Sequence, residues 1–102
     1  MTTYIVEAKR GAAQDIVAAS DWYEAQEAGL KTRFLDAVAD TFQRIAAGPL
    51  HYPFASKDIR RLKVGRFPYS MYFRVRGNRV EVLALVHQNR DPAKLGSLLK
   101  RT

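Results

Sequence analysis

The chain has 102 residues, 47% of them hydrophobic, a formal net charge of +7 and no cysteine. That supports one domain with a modest core, spanning 1–102, and excludes a disordered basic tail, a disulfide framework and thiolate chemistry. The charge is uneven: residues 57–102 hold twelve Lys and Arg against three Asp and Glu, whereas residues 1–56 hold five against seven. A half that basic attracts polyanions or acidic proteins.

In chain order, Thr3 to Ala8 leans toward a strand, with Tyr4 and Val6 on one side and Ile5 on the other. Residues 12–28 read as a helix whose stripe is Ala12, Ile16, Ala19 and Tyr23. Gly29 is placed to stop it as the C′ residue. Residues 31–47 repeat the period with Phe34, Leu35, Val38, Phe42, Ile45 and Ala46, and Gly48-Pro49 closes them. Two helices joined by so short a turn form an antiparallel hairpin. Leu50 to Asp58, with His51, Tyr52, Pro53 and Phe54, reads as a loop. The period then becomes two: Ile59 to Gly65 is a strand, Tyr69 to Arg76 another, Gly77-Asn78 a tight turn and Arg79 to His87 a third strand. The expected fold is α+β, a β-α-α-β-β-β order with the N-terminal strand and helical hairpin packed on one face of an antiparallel sheet.

The Gly77-Asn78 turn also assigns the two faces of the hairpin, because opposed residues share a face. Counting back from Arg76/Arg79 gives an apolar face of Val75/Val80, Phe73/Val82, Met71/Ala84 and Tyr69/Val86, expected under the helices. The other face receives Arg74/Glu81, Tyr72/Leu83, Ser70/Leu85 and Pro68/His87, joined by Arg61 and Lys63 from the preceding strand. Leucines among exposed cations suggest a surface that a partner covers. Arg74 and Glu81 are expected to form a cross-strand ion pair.

Several chemistries are absent from the sequence. Two histidines without cysteine do not make a metal site. There is no Gly-rich phosphate loop and no G-x-S-x-G, so neither metal nor cofactor is expected. His51 has no carboxylate or second ligand near it in sequence. The helix acids, Asp15 among them, read as solvated charge. No apolar run approaches the ~20 residues that span a bilayer. Met1 to Glu7 lacks a basic stretch followed by an apolar one, so a cytoplasmic protein without membrane association is the expectation.

Several segments in order then resemble one family. They are Ala18-Ala19-Ser20-Asp21-Trp22-Tyr23-Glu24, Arg33-Phe34-Leu35, Gly48-Pro49 with Tyr52-Pro53, and Ile59 through Tyr69, which is similar to an R-x-x-x-V-x-x-[FY]-P-[FY] signature. Tyr72-Phe73-Arg74-Val75 and Val86-His87 followed by Arg90-Asp91-Pro92 complete the set. Over nearly its whole length the chain resembles the RelE/ParE superfamily of type II toxin–antitoxin toxins, in the ParE and plasmid-stabilisation branch.

That resemblance implies a small growth inhibitor held in a toxin–antitoxin hetero-oligomer by a cognate antitoxin with an acidic amphipathic C-terminal segment. Trp22, Tyr72, Arg74, Leu83 and Leu85 are the expected antitoxin contacts. ParE-like members bind DNA gyrase, and Arg60, Arg61, Lys63, Arg66 and Arg90 are then the target-binding cations. RelE-like members instead cut mRNA on the ribosome without metal. On that alternative Arg61, Lys63 and Arg74 relieve phosphate charge and His87 is the acid/base. No aromatic residue follows Pro92 to serve as a C-terminal catalytic tyrosine, which favours gyrase. A third possibility, a non-toxic basic nucleic-acid-binding module, lacks a base-reading helix, since both helical segments are mildly acidic.

Overall fold

A computed structural model describes residues 3–89 and 96–98 of the chain. The order is β1 (Ile5–Ala8), α1 (Arg10–Gln26), α2 (Leu30–Ala47), a single 3-10 turn (Pro49–His51), β2 (Phe54–Ser56), β3 (Ile59–Lys63), β4 (Tyr69–Arg76) and β5 (Arg79–His87). One five-stranded sheet carries the strands in the order β1-β5-β4-β3-β2. All neighbours are antiparallel except β1, which lies parallel to β5. The segment expected to be a loop thus contributes a short strand, and the sheet is mixed rather than wholly antiparallel.

Each helix forms because its apolar residues recur on one side. In α1 that side buries Ala12, Ala19, Ser20 and Tyr23; in α2 it buries Phe34, Val38, Thr41 and Ile45. The two buried hydroxyls bond to their own helices, Ser20 Oγ donating to the Val17 carbonyl at 2.9 Å and Thr41 Oγ1 to the Ala37 carbonyl at 2.7 Å. α1 ends at Gln26 with Glu27 as its cap, so Gly29 is not the residue that stops it. Gly29 instead precedes α2 in the left-handed region at φ +90°, where a side chain would be strained. The Glu24 carboxylate reaches across the turn and accepts the N–H groups of Gly29 and Lys31, both at 3.2 Å, occupying donors that the start of a helix leaves unpaired. Tyr23, Phe34, Phe67 and Tyr69 meet as tilted and edge-on rings between the hairpin and the sheet, with centroids 5.0–6.3 Å apart.

The β4–β5 ladder follows the expected register from Arg76↔Arg79 through Val75↔Val80 and Arg74↔Glu81 to Phe73↔Val82. There it shifts, and Tyr72 pairs with Ala84, Met71 with Leu85, Ser70 with Val86 and Tyr69 with His87. Leu83 is therefore an extra residue, a β-bulge, and every residue of β5 beyond it changes face. Leu85 joins Met71 and Tyr69 in the main core under the helices at 1% exposure. Ala84 and Val86 turn outward with Tyr72 and Ile59 into a second apolar cluster, against which Ala55, Leu83 and Leu98 pack. The expected faces hold for Val80, Glu81 and Val82 and are inverted for Ala84, Leu85, Val86 and His87.

The bulge is secured by α1. The Leu85 N–H donates to Asp15 Oδ2 at 3.1 Å. β1 no longer flanks β5 here, since its ladder ends at Val82 and the Lys9 N–H closes it on the Val82 carbonyl at 2.9 Å. Asp15 is thus a half-buried acceptor for a strand N–H rather than solvated charge.

Candidate functional site

The outer face of the sheet is built by alternation in β3 and β4. Arg61 pairs with Tyr72 and Lys63 with Ser70, so these four side chains share that face, as expected. β2 pairs with β3 only as far as Arg60, after which the Arg61 N–H donates to the Pro53 carbonyl at 3.2 Å. Tyr52 and Pro53 help to line a groove of about 470 Å³ on this face. Arg61, Lys63, Ser70, Tyr72 and Gln88 contribute to its lining. Arg61 and Lys63 are exposed, whereas Ser70 and Tyr72 are 7% and 4% exposed and form its floor.

A second set of charges on the same face is already neutralised. Glu81 Oε1 receives Arg74 Nη2 at 3.1 Å and Arg76 Nε at 3.2 Å, while Oε2 receives Lys9 Nζ at 3.2 Å. Lys9 also reaches Glu7 at 3.2 Å. The Lys9 ammonium and then the Arg74 guanidinium hold the Glu81 carboxyl below its ordinary value of 4.5. Glu81 and then Glu7 hold Lys9 above 10.5. The expected Arg74–Glu81 pair therefore exists as part of a five-member network, and Arg74 is occupied by it. Arg61 and Lys63 contrast with it: among the described residues neither pairs with a carboxylate.

The remaining expected site residues scatter. His87 lies across the sheet from Arg61 and Lys63, on the helical side at 8% exposure, with its ring edge-on to Tyr69 at 5.0 Å. Its Nδ1 accepts the Asn89 N–H at 3.0 Å. The expectation that His87 shares a face with those cations is corrected: the bulge moves it away. Leu85 likewise is not a surface leucine. Arg60 holds its own loop, donating to the Tyr52 carbonyl at 2.7 Å and the Leu50 carbonyl at 3.3 Å, with its guanidinium 3.8 Å from the centre of the Phe54 ring. Arg66 is exposed in the β3–β4 turn, and Arg90 lies outside the described residues. Trp22 is 43% exposed on α1, edge-on to Tyr23 at 5.2 Å. Leu83 is half-buried on the outer face beside Tyr72.

Sequence reasoning missed Asp15, although it lies on the Ala12–Ala19 side of its helix, a place where solvated charge is out of pattern. It also missed Leu50 and Phe54, exposed at 56% and 57%, for which an irregular segment offers no periodicity. Among the described residues no group of three or more His, Cys, Asp or Glu side chains could hold a metal ion. Among them, too, no helix is long and apolar enough to cross a membrane.

Comparison with known proteins agrees with this architecture. A family profile described as "ParE toxin of type II toxin-antitoxin system, parDE" matches residues 6–92. The chain belongs to the ParE toxin family. A solved chain titled "Chromosomal ParDE TA system from P. aeruginosa" superposes with a TM-score of 0.75 over 83% of this chain and 96% of that one. The two are 20% identical, so the likeness is one of fold. No curated protein matches the sequence. Family membership makes this ParE-family chain the toxin component of a type II toxin–antitoxin system.

Proposed function

We propose that this ParE-family toxin arrests growth by binding DNA gyrase, and that a cognate antitoxin with an acidic amphipathic C-terminal segment neutralises it in a hetero-oligomer. The observation that carries the binding reading is the position of His87. RNA cleavage by its own 2′-OH needs a proton acceptor beside the group that relieves charge at phosphorus. The bulge at Leu83 sends His87 to one face while Arg61 and Lys63 stay on the other. Arg74, the third candidate cation, is committed to Glu81. Among the described residues lining the groove, the sheet offers a target exposed cations with no histidine or carboxylate beside them, which suits recognition better than strand cleavage.

The antitoxin surface on this reading is Trp22 on α1 and the outer face near Leu83, beside the Arg74–Glu81 network. Leu85 is withdrawn from it, because a residue under α1 cannot meet a partner. Expression of the chain alone is expected to stop growth, and co-expression of the antitoxin to restore it with the two proteins co-purifying. Purified toxin immobilised on a surface should capture gyrase. Capture of ribosomes instead, with translated mRNA cut in the A site, would support the RelE-like alternative.

A further inference from the structure

Leu50 and Phe54 leave more than half of their surface in water, and nothing in the fold explains their exposure. They are nevertheless held in place. Arg60 Nη1 donates to the Leu50 carbonyl at 3.3 Å and to the Tyr52 carbonyl at 2.7 Å, while the same guanidinium lies 3.8 Å from the centre of the Phe54 ring. Pro49 and Pro53 fix two backbone angles of the same stretch. An apolar pair that is already ordered loses little freedom on meeting a partner, which favours it as an anchor. Both Arg60 hydrogen bonds use Nη1. Among the described residues its Nε and Nη2 meet no protein acceptor, and such a planar fork of donors suits a carboxylate.

The pair also stands apart from the proposed antitoxin surface. Phe54 pairs with Arg60 and Arg60 with Phe73, so the Phe54 ring is on the helical side of the sheet. It lies at the β2 edge, three strands or about 14 Å from β5, which carries Leu83 and on which α1 packs. A hollow of about 430 Å³ lined by Arg44, Ala47, Gly48, His51 and Tyr52 adjoins the segment. Tyr52 and Pro53 also border the cationic groove on the other face, so a partner seated on this edge reaches both. We propose that Leu50 and Phe54 are the anchors of the gyrase contact, entering an apolar cleft on that enzyme whose rim offers a carboxylate to Arg60. The inference rests on the gyrase reading and adds the surface and chemistry of the contact.

The test is biolayer interferometry of immobilised toxin against purified gyrase, with antitoxin affinity measured on the same sensors. Phe54→Ala is expected to weaken gyrase binding about thirtyfold and Leu50→Ala about tenfold, as truncated anchors do. Ile5→Ala removes a side chain 49% exposed on β1, at the opposite edge, and should stay within about twofold of the parent. Antitoxin affinity should be unchanged in Leu50→Ala and Phe54→Ala. Thermal melts should stay close to the parent, because Leu50→Ala keeps the carbonyl that Arg60 binds. If the parent binds gyrase and Leu50→Ala binds as tightly, the anchor is wrong and the gyrase reading stands. If the parent does not bind gyrase, that reading fails and the anchor falls with it. Loss of antitoxin affinity in both variants would overturn the proposal by giving the patch to the antitoxin. A parent dimer in sedimentation that Leu50→Ala dissociates would overturn it in favour of a second copy of the chain.

Discussion

Truncating Leu85 to alanine probes the bulge, on which the face assignments depend. Leu85 is 1% exposed and sits in the main core opposite Met71. Removing a buried leucine side chain costs about 2–5 kcal/mol, part transfer and part cavity. Leu83, two residues earlier, is half-buried on the outer face, and its truncation is expected to cost about 1 kcal/mol. In a domain of this size 1 kcal/mol shifts Tm by about 4–8 °C, so Leu85→Ala should melt roughly 10 °C or more below the parent and Leu83→Ala only slightly. Urea titration with unchanged m-values gives the same comparison in free energy. A uniform ladder without the extra residue would put Leu85 outside and Ala84 inside. If Leu83→Ala proved the more damaging of the two, or Leu85→Glu remained folded, the register described for β5 would be wrong.

Other substitutions extend the test. Asp15→Ala should cost about 1–3 kcal/mol in urea unfolding by leaving the Leu85 N–H without its acceptor, while Asp15→Asn, which keeps an oxygen, should cost less. Glu81 has a folded-state pKa below 4.5, so its network contributes fully above that value and is lost as pH falls through the lower folded value. The stability gap between parent and Glu81→Gln should therefore be widest near neutrality and close below pH 4.5; a gap that widened in acid would contradict the sign. Lys57 is a non-glycine residue at φ +47° between β2 and β3, and Lys57→Asn should raise stability by up to about 1 kcal/mol, read as a higher Tm. Trp22→Ala should weaken antitoxin binding by tenfold or more in a calorimetric titration while leaving the melt close to that of the parent, since the ring is substantially exposed.

How far the sequence could be read depended on contrast between neighbouring residues. Val80, Glu81 and Val82 alternate apolar and charged, and the ladder as far as Phe73↔Val82 and the Arg74–Glu81 pair follow from the turn alone. Val82-Leu83-Ala84-Leu85-Val86 is apolar at every position, so nothing in it marks which residue is extra. The shift in register had no signature there, and His87, whose face is decided by counting, went to the wrong side. Arg61 and Lys63 alternate with Leu62 and Val64, and their outward position was readable for the same reason that Glu81 was. The three residues of β2 follow Pro53 and pair irregularly, too short a stretch for a period of two to appear. The partner of β1 was hidden as well, because a strand's own pattern does not say which neighbour it meets after a helical hairpin.

The proposal that the protein acts by binding gyrase is tested most directly by plasmid supercoiling with purified enzyme. Added in stoichiometric amounts, the toxin is expected to block conversion of relaxed plasmid to the supercoiled form, and pre-mixing with its antitoxin should restore it. Full supercoiling at saturating toxin, from a preparation that still arrests growth when expressed, would contradict the account.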